Sequence, residues 1–351
     1  MTSPLQTRYL GLTLPSPLVA SASPLSQDIS TIRRLEDAGV GAVVLYSLFE
    51  EQLRHEAARD LQLQEAHEES FAESLSYFPD IPSGPHAAAT PTTSTSVRYL
   101  DLVERASQAV DIPVIASLNG STDGGWVDFA RQLSEAGAAA LELNIYLVPG
   151  DLTMTSTEIE QRHLDILRHV RDAVDLPIAV KLSPYFSSFG RLAVALDQAG
   201  ADGLVLFNRF LQPEIDGETL SVAPGVELSS PFEGRLPRTW IAALRGRVAC
   251  SLAGTSGVWS GLDVAKYLLA GADVAMTASA LLRHGPEHAA VILAELRTWM
   301  DRKHLANLDA LRGMLAVPTD VDATDYQRSG YVAALEKAKQ TYGSLAAPSG
   351  C

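Results

Sequence analysis

Four times this chain closes a helix-like stretch with Ala-Gly and runs directly into a short apolar strand. The pairs are Ala38-Gly39 before Val43-Val44-Leu45, Ala136-Gly137 before Leu141-Glu142-Leu143, Ala199-Gly200 before Leu204-Val205-Leu206, and Ala270-Gly271 before Val274-Ala275-Met276. Glycine suits the left-handed position that ends a helix, and an uninterrupted apolar run suits a strand buried on both faces. A second repeat interleaves with the first: Asp111-Ile-Pro-Val-Ile-Ala-Ser-Leu118 returns as Asp175-Leu-Pro-Ile-Ala-Val-Lys-Leu182. Two βα units fit between successive glycines of the set. This pattern predicts an α/β fold, a (β/α)8 TIM barrel, in which chemistry sits at the C-terminal ends of the strands.

The eight strands are expected at Pro17–Ala20, Ala42–Tyr46, Val114–Leu118, Leu141–Asn144, Ile178–Leu182, Leu204–Phe207, Val248–Ala253 and Val274–Met276. Helical spacing predicts helices over Ile29–Asp37, Arg98–Val110, Trp126–Glu135, Ser156–Val174, Gly190–Gln198, Pro237–Leu244 and Leu262–Ala270, with an outer helix over Pro286–His304. After strand two the rhythm breaks. Phe49 to Ala88 is charged and irregular, and Thr90 to Ser96 is low-complexity Thr/Ser/Pro; a loop of this length reads as a lid. Val317–Ser344 reads as a helical tail packed on the outside. The expected organisation is a barrel over residues 1–304 and a C-terminal helical extension over 305–351.

The chain carries 27 basic and 42 acidic residues, a formal charge of −15. With no basic stripe, nucleic acid and anionic membrane surfaces are excluded as expected partners. Cys250 and Cys351 make no disulfide framework, which suits a reducing compartment. No basic-then-apolar leader and no bilayer-length apolar run are visible, so a cytoplasmic location is expected.

The residues just past each strand line the mouth of such a barrel. Strand one gives Ser21-Ala22-Ser23, strand two Tyr46-Ser47, strand three Asn119, strand four Asn144, and strand five Lys181 one residue before its end. Strand six gives Asn208-Arg209, strand seven Gly254-Thr255-Ser256-Gly257, and strand eight Thr277-Ala278-Ser279. Small residues after strands seven and eight let backbone N–H groups approach an anion closely, and barrels commonly bind phosphate there. Lys181 lies in an apolar strand, where a lysine is costly unless paired or functional. It could hold negative charge on a reduced cofactor, attack a carbonyl as a free amine, or form a salt bridge inside the barrel with Glu142. Asn119, Asn144 and Asn208 end three different strands, and an amide both donates and accepts, which suits a flat heterocycle. The eight histidines form no spaced cluster with cysteines or carboxylates, so no metal is expected.

The segments Leu141-Glu-Leu-Asn144, Ala179-Val-Lys-Leu-Ser-Pro-Tyr185, Gly254-Thr-Ser-Gly-Val258 and Ala270-Gly-Ala-Asp-Val-Ala-Met276 resemble the dihydroorotate dehydrogenase family of FMN-binding barrels. Ser16-Pro-Leu-Val-Ala-Ser-Ala-Ser23 is similar to that family's first strand, and Pro113-Val-Ile-Ala-Ser-Leu-Asn119 to its third. The resemblance implies FMN as cofactor, with Ser21, Ala22, Ser47 and Asn119 lining the flavin. It places Lys181 at the flavin ring's acidic edge, and Gly254, Ser256, Gly257, Ala278 and Ser279 at its phosphate. Asn144 would bind pyrimidine or flavin, and Asn208 would serve the same pocket. The implied reaction is hydride transfer between the C5–C6 bond of a dihydropyrimidine and the flavin, in pyrimidine biosynthesis. The implied partners are a small-molecule substrate and an electron-transfer partner or second subunit, and a homodimer is compatible with the family.

The chain also departs from that pattern. Family members usually follow strand four with Asn-x-Ser-Cys-Pro-Asn, whereas this stretch reads Asn144-Ile-Tyr-Leu-Val-Pro-Gly150 and has no cysteine. Tyr46 stands where the cytosolic enzymes carry a lysine, and the family's Asn-x-x-Gly-x-x-Asn loop is not recognisable between Phe78 and Pro91. Tyr146 is the protic side chain in the loop that usually holds the base, and is the candidate replacement. Two further readings stay open: a Schiff-base lyase acting on a phosphorylated carbonyl compound through Lys181, and a flavin-binding subunit without dihydroorotate activity.

Overall fold

The expected strands form, and they close on one another. A computed structural model of the chain describes residues 3–49, 94–120, 126–146, 152–209, 214–223 and 227–342. The barrel strands are β3 (Leu18–Ala20), β4 (Ala42–Val44), β6 (Val114–Gly120), β7 (Ala140–Ile145), β8 (Ile178–Leu182), β9 (Gly203–Leu206), β12 (Ser251–Gly254) and β13 (Val274–Thr277). Each pairs in parallel with the next, β13 returns to β3, and the ring is completed from β3 through β4 to β6. This is an eight-stranded parallel barrel surrounded by helices, the TIM-barrel architecture.

Strand period two decides what faces inward. Val19, Ala42, Val44, Ile115, Ala140, Ala179, Val205, Ala253, Val274 and Met276 form one buried cluster inside the barrel. Their neighbours Leu18, Val43, Val114, Leu141, Ile178, Leu204 and Leu252 join the cluster shared with the helices. The four alanines inside leave space, and a hairpin of β1 (Thr7–Tyr9) and β2 (Leu12–Leu14) fills it at the N-terminal end. Its two-residue turn, Leu10-Gly11, has φ of 54° and 75°, the left-handed pair that matches strand twist. Leu10 reaches so close to Gly203 that a Cβ there would lie 2.6 Å from its Cδ2, and the Leu10 N–H donates to Ser251 Oγ at 3.0 Å. No pattern in the sequence announces this plug.

The helices are α1 (Ile29–Asp37), α2 (Thr95–Ala109), α3 (Trp126–Glu135), α4 (Ser156–Arg171), α5 (Phe189–Gln198), α6 (Arg235–Leu244), α7 (Gly261–Ala270), α8 (Ser279–His284), α9 (His288–Arg302) and α10 (Ala323–Tyr342). All four Ala-Gly endings are left-handed at glycine, from 89° at Gly39 to 118° at Gly271. Three details correct the sequence-based expectations. Strand seven begins at Ser251 rather than Val248, because the Asp197 carboxylate accepts from the N–H groups of Ala249 and Cys250 and so holds them out of the ladder. Helix α2 begins within the low-complexity run, at Thr95, capped by the Ser94 side chain. Along helix α10, expected to pack on the outside of the barrel, the described residues Tyr326, Tyr331, Val332 and Leu335 are exposed. The preceding segment is what docks, through Gly313, Leu315 and Val317 N–H groups donating to carbonyls of Leu268, Leu269 and Ala242. The charged stretch read as a lid, residues 50–93, lies outside the described residues, and so does the end of the tail from 343 onward. Short strands β5 (Leu48–Phe49), β10 (Glu214–Asp216) and β11 (Ser221–Ala223) complete the described architecture, β5 lying beside β6 at the mouth.

Helix α7 crosses α9 at Gly261, where a Cβ would lie 2.2 Å from the Leu296 nitrogen. A backbone wall cannot yield as a side chain can, so Gly261→Val is expected to cost about 3 kcal/mol or more in urea unfolding. Gly217→Val, in an exposed turn with nothing within 4 Å, is expected to stay within about 0.5 kcal/mol of the parent.

Candidate active site at the barrel mouth

Three adjacent strands set the polar residues of the mouth in one row. Asn119 on β6 pairs with Asn144 on β7, and Asn144 pairs with Lys181 on β8. Two residues deeper, Ser117 pairs with Glu142 and Glu142 with Ala179. Paired residues of a parallel ladder face the same way, so period two brings a serine, a carboxylate, two amides and an ammonium to the barrel interior. All five are buried.

Lys181 Nζ donates to Glu142 Oε1 at 3.2 Å and to Ser21 Oγ at 3.4 Å. The salt bridge considered from sequence is therefore present, with side chains 7% and 1% exposed. The second carboxylate oxygen, Glu142 Oε2, has no hydrogen-bond partner among the described residues, and neither has Tyr9 Oη in the plug. The Tyr9 hydroxyl is held well above its ordinary pKa, first by burial and next by the Glu142 charge. Asn208 donates its amide to Asn144 Oδ1 at 2.6 Å, which fixes both side chains. Asn144 keeps its amide N–H groups and Asn208 keeps its carbonyl oxygen for a ligand.

Two cavities open from this row. One, of about 560 Å³, is lined by Ala22, Tyr46, Ser47, Asn119, Asn144, Tyr146 and Asn208, among others. Its floor is tied down by a buried network: Tyr99 Oη donates to the Ser117 carbonyl at 3.1 Å and accepts from Ser117 N–H at 2.9 Å. The Ser117 and Ser47 hydroxyls lie 2.8 Å apart, and the Tyr46 ring meets Tyr99 edge-on at 5.1 Å. Burial pushes the Tyr99 hydroxyl far above its ordinary pKa, so it acts as a neutral strut.

The other cavity, about 140 Å³, is lined by Ser21, Ala22, Lys181, Asn208, Ser229, Ser256, Gly257, Ala278 and Ser279, among others. Ala22 and Asn208 border both. Here the loops after β12 and β13 meet. Ser256 and Gly257 are consecutive left-handed residues, with φ of 76° and 67°. Serine is strained there, and a side chain at Gly257 would lie 2.6 Å from the Ser230 carbonyl oxygen. Ser229 joins the two loops: its Oγ accepts from Gly257 N–H at 3.2 Å and lies 2.9 Å from Ser279 Oγ, while its N–H donates to Ser279 Oγ at 3.0 Å. Trp259 Nε1 donates to the Ser229 carbonyl at 2.6 Å. The structure thus brings Ser21, Ala22, Ser47, Asn119, Asn144, Tyr146, Lys181, Asn208, Ser256, Gly257, Ala278 and Ser279 to one mouth. Gly254 is different: it does not line either cavity, and its missing side chain is filled by Tyr267, whose Cδ1 a Cβ would meet at 2.1 Å. Sequence reasoning missed Ser229, because it lies far from Ser279 in the chain and its Ser-Ser-Pro setting reads as a helix start.

Replacing Lys181 by Met strands a buried carboxylate. Breaking such a pair costs about 3–5 kcal/mol, and neutralising the other partner as well recovers most of it. Lys181→Met is therefore expected to lower stability strongly at pH 8, with Lys181→Met/Glu142→Gln close to the parent. Urea melts of the three proteins at pH 8 check this.

The family model for dihydroorotate dehydrogenase matches residues 92–300, more than half of the chain. A catalytic subunit of dihydroorotate dehydrogenase B (NAD(+)) from Anoxybacillus flavithermus is 31% identical over 198 residues, 54% of this chain and 62% of that protein. The corresponding subunit from Listeria monocytogenes is 30% identical over 210 residues, 58% of this chain and 68% of the relative. A dihydroorotate dehydrogenase A (fumarate) from Lactobacillus delbrueckii is 28% identical over 188 residues, 51% of this chain and 60% of that enzyme. The chain thus spans under two thirds of the Anoxybacillus and Lactobacillus proteins it matches. It belongs to the dihydroorotate dehydrogenase family.

Proposed function

From this membership and the geometry of the mouth, we propose that the chain is an FMN-dependent oxidoreductase that oxidises a CH–CH bond of dihydroorotate or a related dihydropyrimidine. The observation that carries the reading is the Asn119–Asn144–Lys181 row, open on one side to a cavity for a flat ring and on the other to the Ser256-Gly257 and Ala278-Ser279 loops. The donor set fits FMN: neutral amides and a single ammonium suit an electron-poor heterocycle with one acidic edge, and hydroxyls with exposed backbone suit a phosphate. FMN supplies the hydride acceptor when bound.

The chain's own residues supply the rest. Lys181, held on Glu142 and Ser21, sets a fixed positive charge at the ring edge. Ser21, Ala22 and Ser47 flank the ring, and Ala22 admits it by its small size. Ser256, Gly257, Ala278 and Ser279 hold the phosphate, with Ser229 bracing the two loops. Asn144 and Asn208 present a donor beside an acceptor, the complement of a ring amide edge. Tyr146, one residue past the end of β7, is the candidate for the group that removes the second proton. An electron-transfer partner chain belongs to the proposal as well, since two of the relatives are named catalytic subunits. The lyase alternative needs Lys181 as a free amine, whereas here it donates to a carboxylate, an arrangement suited to an ammonium.

Anaerobic addition of dihydroorotate to the FMN-loaded protein is expected to bleach the flavin absorbance. A yellow protein that no dihydropyrimidine bleaches would favour a flavin-binding subunit, and one that cannot be reconstituted with FMN would refute the reading. Tyr146→Phe is expected to slow bleaching by about 10²-fold or more, the usual contribution of a positioned base. Ser279→Ala is expected to weaken FMN binding about tenfold, the ~1.4 kcal/mol of one hydrogen bond to a charged group, read by fluorescence titration.

A further inference from the structure

We infer that Glu142 is a positioning residue for Lys181: a fixed counter-charge inside the barrel that holds the ammonium at the rim and cancels part of its field there. The inference rests on the FMN reading above and concerns a residue that enters that reading only as a hydrogen-bond partner of Lys181.

The charges at the mouth are paired. Lys181 and Arg209 are the cations lining the smaller cavity among its described residues. Arg209 Nε lies 3.0 Å from Glu233 Oε1, and Lys181 Nζ lies 3.2 Å from Glu142 Oε1. The two pairs differ in kind. The Arg209 pair is half-exposed and screened by solvent, while the Lys181 pair is buried and its field is not. A buried ion pair contributes little or nothing to stability compared with apolar residues of the same volume. The acid offsets the cost of burying Lys181, but the pair as a whole adds no stability over apolar residues; what the pair adds is a charge at the rim and control over it.

Its placement supports that role. Glu142 sits two residues below Asn144 on β7, so the carboxylate lies deeper than the row that meets the ligand. One oxygen holds Nζ, and the other points to no hydrogen-bond donor among the described residues. The neighbouring register positions are Ser117 and Ala179, neither of which is charged, and the Tyr9 hydroxyl below is neutral. Among the described residues the other hydrogen-bond partner of the pair is the neutral Ser21 hydroxyl. A ligand at the rim therefore meets a dipole with its positive end outward, in place of a bare positive charge, and negative charge on the ligand is stabilised only in part. Neutralising Glu142 removes the opposing end and leaves the full ammonium field.

Sulfite measures that field without turnover. It adds through its sulfur lone pair to the oxidised flavin ring, leaves negative charge on the ring and bleaches its visible absorbance. FMN-loaded Glu142→Gln is expected to bind sulfite at least about tenfold more tightly than the parent. Glu142→Asp keeps the charge and is expected to stay within about threefold. A purely structural carboxylate would move both variants the same way, toward weaker binding. If Glu142→Gln does not fold, the comparison is made without Lys181: the Lys181→Gln/Glu142→Gln protein is expected to bind sulfite more tightly than Lys181→Gln, because the carboxylate that repels the adduct is gone. Equal or weaker binding in the protein lacking the carboxylate, in whichever comparison is made, overturns the inference. A chain that takes up no FMN is recognised as colourless before sulfite is added, and overturns the parent reading and this one together.

Discussion

A parallel sheet that closes on itself must leave the C-terminal ends of all its strands on one rim and the N-terminal ends on the other. The candidate site follows from that constraint together with the alternation of side chains along each strand. Register places Asn119, Asn144 and Lys181 side by side although long stretches of sequence separate them. The period of two then sends Ser117 and Glu142 to the same interior one step deeper. The opposite end is filled by the Thr7–Leu14 hairpin, which packs Tyr9, Leu10 and Leu14 into the barrel interior. With that end plugged, the barrel interior opens at its polar mouth.

The mouth divides its work by material. On the side of β6 and β7 it offers amides and aromatic rings, held by the Tyr99 strut under Ser117. On the side of β12 and β13 it offers backbone and hydroxyls, and Ser229 joins the loops that carry them. Lys181 lies between, next to the carboxylate that lies beneath it. Neutral donors and acceptors flank the single ammonium, which gives a flat, electron-poor ring one charged contact and many directional ones. That is the physical sense in which the site suits a flavin better than a sugar phosphate awaiting imine formation.

Much of this is legible in the amino-acid sequence alone. The Ala-Gly endings mark strand starts because a left-handed residue is needed where the chain leaves a helix, and the polar residues past each strand name the mouth directly. Glu142 is legible as a partner of Lys181 because two opposite charges in one apolar environment need each other. What escapes detection depends on distant contacts. The Leu10-Gly11 turn links strands too short to show a period. The start of strand seven is delayed by a carboxylate from Asp197, on a neighbouring helix, and Ser229 acquires its role from loops far along the chain. The tail shows a related limit: its helical spacing is readable over Val317–Ser344, but the exposure of Tyr326, Tyr331, Val332 and Leu335 depends on what the barrel surface offers them.

The most direct test of FMN binding at this mouth is a crystal structure of the chain with the cofactor bound. The isoalloxazine edge is expected within hydrogen-bond reach of Lys181 Nζ, its ring over Ala22 and beside Asn119 and Asn144, and the phosphate between the Ser256-Gly257 and Ala278-Ser279 loops. FMN found elsewhere, or seated at the mouth with Lys181 turned away from the ring and its phosphate outside those loops, would contradict this assignment.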